Sequence, residues 1–560
     1  MKYTGARIVI ESLIKQGVNR VFGYPGGTIL NIYDELYKQK DRISHVLTAH
    51  EQGACHAADG YSRATGKTGV VFATSGPGAT NLVTGIATAY MDSSPLIAIT
   101  CNVATPLLGK DSFQEVDICG ITMSITKHNY IVRDVNSLAD IIEEAFIIAN
   151  TGRKGPVLID IPKEITALTA EWDPMRKFKP VSEKINQFKI PEIKMEEIDR
   201  AVELIEGAKR PLIYAGGGVI SSEACDVLVK FAEKKNIPVC ESLMGRTVMP
   251  SSHPLCTGMI GMHGTKASNS AASSCDLLIA LGARFSDRVT SDVDRFAPDA
   301  RVIHVDIDPA EINKNIKDSV GVVGDVKKVL ELFLEKVSPR EADSWNDKVS
   351  EWKKMLPSSY VRKSQLHPKF VMETINKILG DNTIITTEVG QHQMWAAQFY
   401  PYSRPRSLIT SGGLGTMGFG TGAAMGAQAG CPDKYVVHIA GDGSFRMNCN
   451  ELATIQYYNF PIIIIVADNG TLGMVRQWQK LFYDKRYSET TLDRGPDFVK
   501  LAEAYGIRGF RAKNEEEFVS CLKEAVSNRT PCLIDCFMNI DEMVMPMVPT
   551  GKPLDSIIMD

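Results

Sequence analysis

The fold is decided by the stretch Tyr435-Val-Val-His-Ile-Ala-Gly-Asp-Gly-Ser444, which is followed by Ile462-Ile-Ile-Ile-Val-Ala-Asp-Asn-Gly470. Each stretch begins with apolar, largely β-branched residues, which favour strands, and ends in glycine with an acidic or amide residue. A helical pattern from Asn450 to Tyr458 separates them. Strand, helix and strand in this order predict two adjacent parallel strands of an α/β sheet.

The same alternation of apolar strands and helical patterns recurs in two earlier parts of the chain. We therefore predict an α/β protein with three doubly wound parallel-sheet domains, at residues 1–165, 196–338 and 367–540. Polar, charged stretches at 166–195 and 339–366 are predicted linkers, and 541–560 is a C-terminal tail. The predicted strands are Val21–Tyr24, His45–Leu47, Gly69–Ala73, Leu96–Thr100 and Val157–Ile161 in the first domain, Leu212–Ala215, Ile237–Cys240, Leu277–Leu281 and Val302–Asp306 in the second, and Ile384–Thr386, Tyr435–Ala440, Ile462–Val466 and Cys532–Asp535 in the third.

Charge and composition argue against several classes of protein. The 560 residues carry 62 Lys and Arg against 66 Asp and Glu, and this formal net charge of −4 disfavours nucleic acid or an anionic membrane as the main partner. The longest apolar run, Pro461–Ala467, is far shorter than the roughly 20 residues of a membrane span. The 12 cysteines form no CxxC pair and no signal-peptide core begins the chain, which predicts a cytoplasmic protein. The histidines include no HExxH pattern, so a catalytic zinc is not expected.

Asp442 and Asn469 are candidates for a metal site. They follow two adjacent strands, and parallel strands bring their carboxyl ends, where α/β sheets bind ligands, to one edge. A carboxylate, an amide oxygen and a nearby carbonyl form a hard oxygen site that suits Mg²⁺ together with diphosphate oxygens and water. Gly441 and Gly443 allow backbone N–H groups to approach phosphate. The alternative is a tight turn with Asn469 as a cap, but the matching positions at two strand ends favour the metal site.

A Gly-Asp-Gly motif followed by Asn between two strands resembles the diphosphate and magnesium motif of the thiamine diphosphate enzymes. The resemblance implies that Asp442, Asn469 and the backbone carbonyl of Thr471 bind Mg²⁺. The family usually has Asn-Asn where this chain has Asp468-Asn469, so the amide ligand rests on Asn469. The resemblance also implies a thiamine diphosphate site that is formed by Gly390, Gln391, His392, Gly415, Met417, Gly441, Gly443, Ser444 and Met474.

The first domain carries the counterpart of this motif in Glu51, which lies between the strand His45–Leu47 and the helical sequence Ala58-Asp-Gly-Tyr-Ser-Arg63. On its own, Glu51 is explained as an acidic residue favoured at a helix N-terminus. The resemblance implies that it is the catalytic glutamate, which bonds to the pyrimidine ring nitrogen of the cofactor and favours the imino tautomer. The loop Thr74–Asn81 matches one that helps to form the cofactor site between two subunits, which implies a homodimer or a dimer of dimers.

Within this family the chain is most similar to the biosynthetic acetolactate synthases, and the similarity covers essentially its whole length. Such an enzyme decarboxylates pyruvate and joins the remaining two-carbon unit to pyruvate or to 2-oxobutyrate. The products are 2-acetolactate and 2-aceto-2-hydroxybutyrate, the precursors of valine, leucine and isoleucine. A separate small regulatory subunit is also implied. The similarity is carried by Phe22–Gly27, Asp111–Glu115, Ser124–Tyr130, Gly261–Gly264, Arg284–Val289 and Leu472–Trp478.

The similarity further implies an acceptor channel, with Trp478 as a flat wall just beyond the metal strand. The alternative for Trp478 is a residue of the core or of a subunit contact. Three related activities remain alternatives, namely catabolic acetolactate synthase, pyruvate oxidase and glyoxylate carboligase, although the last lacks an equivalent of Glu51. A non-catalytic assembly subunit is a further alternative, which the intact site residues disfavour. The other channel residues implied are Phe113, Gln114, Lys163, Met262, Asp287 and Arg288.

The middle domain has nucleotide-binding features without a complete motif. Glycines after strands admit the close approach of phosphate, and acidic residues at strand ends can bond to a ribose or an adenine. No GxGxxG is completed, so a nicotinamide dehydrogenase is poorly supported, and an empty, vestigial nucleotide fold is an alternative. The resemblance implies a structural FAD, although Ser286 stands where the family more often has Asp. The implied FAD-binding residues are Gly216, Gly217, Gly218, Gly282, Arg284, Asp306 and Asp325.

Overall fold

The computed structural model describes residues 2–181, 183–357, 360 and 366–560, which form three parallel, six-stranded sheets covered by helices. The predicted fold class, α/β with three doubly wound parallel sheets, is therefore confirmed. None of the helices in this part of the chain has the length and apolar character that crossing a membrane requires.

The first domain begins the chain. Its strands are β1 (Lys2–Thr4), β2 (Arg20–Gly23), β3 (Ser44–Leu47), β4 (Gly69–Ala73), β5 (Leu96–Asn102), β6 (His128–Ile131), β7 (Pro156–Pro162) and β8 (Thr169–Glu171). Its helices are α1 (Gly5–Lys15), α2 (Leu30–Lys38), α3 (Glu51–Thr65), α4 (Pro77–Thr80), α5 (Val83–Met91), α6 (Ile118–Thr122), α7 (Leu138–Asn150) and α8 (Lys163–Ala167). The sheet has the order β3-β2-β4-β5-β7-β6, and β1 pairs antiparallel with β8.

The middle domain follows. Its strands are β9 (Pro211–Ala215), β10 (Val239–Glu241), β11 (Cys256–Met259), β12 (Leu277–Leu281), β13 (Arg301–Asp306) and β14 (Val320–Val323). Its helices are α9 (Met195–Gly207), α10 (Gly217–Ser221), α11 (Cys225–Lys235), α12 (Lys266–Ser274), α13 (Asp287–Thr290), α14 (Val326–Lys336) and α15 (Ser344–Lys353). The order β11-β10-β9-β12-β13-β14 is that of dinucleotide-binding sheets, which bind ligands at the carboxyl ends of the strands.

The third domain contains the stretches 435–444 and 462–470, which predict two adjacent parallel strands. Its strands are β15 (Thr383–Thr387), β16 (Leu408–Ile409), β17 (Tyr435–Gly441), β18 (Ile462–Asp468), β19 (Arg508–Ala512) and β20 (Cys532–Phe537). Its helices are α16 (Pro368–Leu379), α17 (Gln391–Phe399), α18 (Phe419–Gly430), α19 (Asp442–Phe445), α20 (Leu452–Tyr457), α21 (Gly473–Phe482), α22 (Phe498–Ala504) and α23 (Glu515–Asn528). The order β16-β15-β17-β18-β20-β19 repeats that of the first sheet.

The first and third domains pack against each other through equivalent helices, α3 and α18, each of which follows the second strand of its sheet. Three glycines, Gly60, Gly422 and Gly426, bring the two helices together, and we call them the glycine lock. A methyl group at Gly426 would overlap the carbonyl oxygen of Ala57, and one at Gly60 would overlap that of Ala423. The backbones therefore touch where any larger side chain would hold them apart.

Two segments outside the sheets are more ordered than their polar composition suggests. Helix α15 lies within the stretch 339–366 that we predicted as a linker, and its Trp345 and Val349 are each only 3% exposed. Residues 541–560 form neither helix nor strand, yet Val548 and Leu554 of this tail are buried in the same apolar cluster. The part of the tail that carries Val548 and Leu554 therefore packs with the middle domain.

Candidate active site at the carboxyl ends of the sheets

A cavity of about 1260 Å³ opens where the carboxyl ends of the middle and third sheets meet, beside the first domain. It brings together most of the residues singled out in the sequence. From the middle domain these are Gly216, Gly217, Gly218, Met262, Gly282, Arg284, Asp287, Arg288, Asp306 and Asp325, and from the third they are Gly390, Gln391, His392, Gly415, Met417, Gly441, Asp442, Gly443, Ser444, Asn469, Thr471, Met474 and Trp478.

Asp442, Asn469 and Thr471 form an oxygen-rich corner of this cavity. Asp442 begins α19 directly after β17, and Asn469 follows β18, the next strand of the sheet, as the sequence predicts. The Asn469 amide nitrogen donates to the side-chain oxygen of Gln391 (3.2 Å), while its oxygen accepts from the Thr471 N–H (3.2 Å). Among the described residues no cluster of three or more His, Cys, Asp or Glu side chains could hold a metal ion. A cation here would rely on the single carboxylate of Asp442 together with amide and carbonyl oxygens, which suits Mg²⁺.

Burial governs the charge of Asp442, which is only 5% exposed. Burial and, to a smaller extent, the negative charge of Asp468 together raise the pKa of Asp442 to about 7. Burial also raises the pKa of Asp468. Both carboxyl groups are therefore hard to ionise next to each other. A bound divalent cation would strongly stabilise their ionised forms.

Glycines and a neutral histidine line the neighbouring wall. Gly390 has a φ of +153° and lies against the His392 ring, and a methyl at Gly441 would come within 2.7 Å of the His392 Nδ1. Burial lowers the pKa of His392 to about 4, so its imidazole is neutral at physiological pH. Its Nε2 has no hydrogen-bond partner among the described residues. A glycine-lined wall with a buried ring nitrogen that lacks a partner leaves room for a bound polar group.

The segment 411–418, which carries Gly415 and Met417, is held in place by carboxylates; we call it the cofactor loop. Asp92 of the first domain accepts from the backbone N–H groups of Gly412 (3.2 Å) and Gly413 (2.6 Å). Fully buried Glu388 accepts from the Gly418 N–H at 2.5 Å. Neither carboxylate could be predicted as a support of this loop, because nothing in the local sequence of Asp92 or Glu388 marks a partner so distant along the chain.

The predicted site residues of the first domain do not line the cavity. They are Glu51, Phe113, Gln114 and Lys163. Glu51 begins α3, is 8% exposed, and accepts a hydrogen bond of 2.9 Å from the Asn81 side chain. Gln114 lies against Gly76 in the loop that also reaches Glu51 through Gly78. Phe113 is 87% exposed, and Lys163 is exposed at the start of α8. One chain therefore holds the two predicted halves of the site in separate places.

Trp478 stands at the mouth of the cavity, on α21. The Arg288 guanidinium lies 5.8 Å from the centre of its ring system, and Met262, Met545 and Met547 form the adjoining apolar cluster. Met545 and Met547 come from the tail, for which the sequence predicted no function. The tail is anchored here because Gln477 exchanges two hydrogen bonds with the backbone of Val544 (2.8 and 3.1 Å).

Several of the middle-domain residues predicted to bind FAD also have structural roles that the sequence did not indicate. A methyl group at Gly216 would overlap the Gly282 oxygen, and one at Gly218 would come within 2.7 Å of the Gly282 Cα. These glycines thus let the turn after β9 pack on the end of β12, while a methyl group at Gly217 would come within 3.3 Å of the Met244 Cβ. Asp325 caps α14, and burial raises the pKa of Asp306 to about 6.

Comparison with known proteins agrees with this arrangement. Three family models match in order: the N-terminal thiamine pyrophosphate binding domain of thiamine pyrophosphate enzymes at residues 3–121, their central domain at 198–333, and their C-terminal thiamine pyrophosphate binding domain at 388–536. The chain is 48% identical to a probable acetolactate synthase large subunit of Methanocaldococcus jannaschii, over 99% of this chain and 95% of the relative.

Two further relatives are similar over nearly their full length. An acetolactate synthase large subunit of Porphyra purpurea is 47% identical, over 98% of this chain and 94% of its own. That of Corynebacterium glutamicum is 48% identical, over 98% of this chain and 89% of its own. With three matching domains and this level of identity, the chain belongs to the acetolactate synthase large subunits of the thiamine pyrophosphate enzyme family.

Proposed function

We propose that this chain is the catalytic subunit of a biosynthetic acetolactate synthase that uses thiamine diphosphate, Mg²⁺ and a structural FAD. The observation that carries the proposal is the single cavity in which the oxygen-rich corner, the cofactor loop and the Trp478 wall meet. A cation and diphosphate at the corner would lie next to an acceptor pocket at Trp478, which is the arrangement that joining two small 2-oxo acids requires.

Each group of residues around the cavity has a specific role in the proposed site. Thiamine diphosphate, when bound, supplies an acidic ring carbon that adds to the 2-oxo group of pyruvate and accepts the electron pair left by CO₂. Asp442, the Asn469 oxygen and the Thr471 carbonyl would hold Mg²⁺. His392 and the glycine-rich backbone would bind the diphosphate, while Gly415 and Met417 would support the aminopyrimidine.

The catalytic carboxyl would come from a second copy of the chain. Glu51 lies outside the cavity of its own chain, so a homodimer in which Glu51 of one copy reaches the cavity of the other would complete the site. Phe113, Gln114 and Lys163 would arrive with it on the same domain. Glu51 would exchange a proton with the pyrimidine ring nitrogen, the step that prepares the cofactor.

FAD would bind in the middle-domain part of the cavity, along Gly217, Arg284 and Asp306, without entering the net reaction. The names of the relatives describe them as large subunits. We therefore propose that this chain, too, has a separate small subunit, which would stimulate its low intrinsic activity.

The test is to incubate the purified protein with Mg²⁺, thiamine diphosphate, FAD and equal amounts of pyruvate and 2-oxobutyrate. We expect 2-acetolactate and 2-aceto-2-hydroxybutyrate with no net flavin reduction. Acetate formation with reduction of the flavin would identify a pyruvate oxidase. The absence of both cofactor binding and CO₂ release would leave a non-catalytic subunit.

A further inference from the structure

We propose that Glu451, in the third domain, is a positioning residue for Glu51 in the first domain of the same chain. The inference rests on the proposed function, because it takes Glu51 as the catalytic glutamate. Glu451 ends the short 3₁₀ helix Cys449–Glu451, which follows the Gly-Asp-Gly motif, and its side chain is 0% exposed.

The Glu451 carboxylate reaches across the domain boundary to the backbone just before Glu51. One oxygen accepts from the His50 N–H (3.0 Å), and the other accepts from the Ala49 N–H (3.1 Å). The second oxygen also accepts from the Thr454 hydroxyl at 2.7 Å. Each carboxylate oxygen is therefore used, which accounts for a buried acid at this domain boundary.

These contacts fix the corner at which the chain turns from β3 into α3. Ala49 and His50 lie between the two elements, so their N–H groups have no partner in the sheet or in the helix. Glu51 is the first residue of the helix, and a rotation of the peptide before it would redirect its side chain. A carboxylate that binds two successive N–H groups allows one orientation of that peptide.

Two neighbouring residues support the same contact. Gly53 has no side chain, and a methyl there would overlap the Glu451 carboxylate. The Tyr458 hydroxyl, at the end of the same segment, accepts from the Leu47 N–H (2.8 Å) and donates to the His45 carbonyl (3.3 Å). The segment 451–458 thus binds the backbone of the first domain on both sides of Thr48.

The substitution Glu451→Gln tests the contact with almost no change of shape. A carboxylate accepts with both oxygens, whereas an amide has one oxygen and one NH₂ group. Whichever way the glutamine is oriented, its NH₂ faces either Ala49 N–H or His50 N–H, so one buried donor loses its partner. We expect amide hydrogen exchange in the peptide that covers residues 47–53 to be about tenfold faster, with or without cofactor.

The same variant should have a specific kinetic effect. We expect kcat to fall about 10- to 100-fold through misorientation of Glu51, while KM for pyruvate and the affinity for Mg²⁺ and thiamine diphosphate stay within about twofold. Tyr458→Phe removes only the hydrogen bonds at β3, so it should give a smaller effect in the same direction. It also keeps the test decisive if Glu451→Gln is unstable.

Asp276→Asn is the matched control. Asp276 also accepts from two successive backbone N–H groups, those of Lys209 (2.9 Å) and Arg210 (2.8 Å), but it lies in the middle domain and outside the cavity. If Glu451→Gln changes kcat no more than this control does, Glu451 only stabilises the fold and the inference is overturned. Unchanged exchange at 47–53 would also overturn it, because the contact would then be absent.

A Glu51→Gln variant separates this inference from the proposed function. If Glu51→Gln is inactive while Glu451→Gln has full turnover, only the positioning by Glu451 is refuted. If Glu51→Gln has full turnover, the proposed function fails at its catalytic residue, and the inference fails with it whatever the exchange rates.

Discussion

Trp478 is the residue that we propose controls acceptor choice. It borders the cavity, and its ring contacts the Arg288 guanidinium and, edge-on at 6.3 Å, the Phe482 ring. A rigid aromatic wall can contact the additional methylene of 2-oxobutyrate without ordering a flexible side chain. One methylene in an apolar pocket is worth about 1–3 kcal/mol, so a single wall can supply most of the preference.

We expect Trp478→Leu to retain acetolactate formation but to bring the preference for 2-oxobutyrate over pyruvate close to parity. A competition assay with both acceptors, in which the two acetohydroxy acids are quantified, measures this ratio. Trp352→Leu is the matched control, because Trp352 is also a half-buried tryptophan on a helix, α15, but does not line the cavity. A ratio unchanged in Trp478→Leu would return Trp478 to a role in the core or in a subunit contact.

Asp442 gives a second prediction, for the metal-free protein. Its pKa is about 7 in the fold against an ordinary 3.8, so folding is progressively opposed as pH rises between these values. Asp442→Asn removes this cost. The variant should therefore gain stability over the wild type, and the gain should be larger at pH 8 than at pH 5 by about 3 kcal/mol at most.

Urea unfolding of both proteins in the presence of a chelator, at the two pH values, provides the measurement. The exposed Asp41→Asn serves as the control for loss of one charge. A stability difference that is the same at pH 5 and pH 8 would show that Asp442 ionises as readily in the fold as in the unfolded chain.

At the scale of single residues, the sequence identified candidate site residues but not the residues that hold them in place. Asp442, Asn469 and Trp478 are singled out by motifs, and all three line the same cavity. Asp92, Glu388 and Glu451 are not singled out, because a carboxylate that accepts backbone N–H groups needs only an acid at the correct place in space. Their partners lie between 30 and about 400 residues away.

Among the elements, the strands at the sheet edges are the ones that the sequence argument did not find. All twelve central strands of the three sheets coincide with predicted strands, as does the edge strand β3. The five others, β6, β11, β14, β16 and β19, are edge strands. Four of them contain glycine or polar residues, as in His128-Asn-Tyr-Ile131 and Arg508-Gly-Phe-Arg-Ala512, and the fifth, β16, has only two residues. An edge strand has one paired side and less buried surface, so its apolar pattern is weak.

The packing of α3 on α18 gives the prediction at this scale. Gly426→Ala should destabilise the protein by several kcal/mol, on the order of 3, because a methyl group must displace the backbone of Ala57. Gly207→Ala is the matched control, since Gly207 ends α9 and faces open space. It should leave stability unchanged or raise it by up to about 1 kcal/mol. Equal melting temperatures for the two variants would mean that the helices can separate at no cost.

In the whole molecule, the first and third domains support each other reciprocally. Asp92 of the first domain holds the cofactor loop of the third, and Glu451 of the third holds the corner before Glu51 in the first. In the proposed homodimer these two loops of one chain serve different sites. The contacts within each chain would then connect the two sites that this chain shares with its partner.

The shared site predicts complementation between inactive chains. Neither Glu51→Gln nor Asp442→Ala should form acetolactate alone, but a mixture that has exchanged subunits contains dimers with one intact site. Random pairing should restore roughly a quarter of wild-type activity. Mixing the double variant with Glu51→Gln is the control, because no pairing then supplies Glu51. If exchange is verified and activity stays absent in the first mixture, the site does not combine two chains.

The glycine lock has a consequence for the interpretation of saturation mutagenesis. The three glycines of the lock do not line the cavity. Nearly every substitution at them would nevertheless inactivate the protein, because the protein would not fold. In a growth selection these positions would be indistinguishable from Glu51 or Asp442. Abundance measured in parallel with growth would separate them, because variants of Glu51 should accumulate as full-length soluble protein and variants of the lock should not.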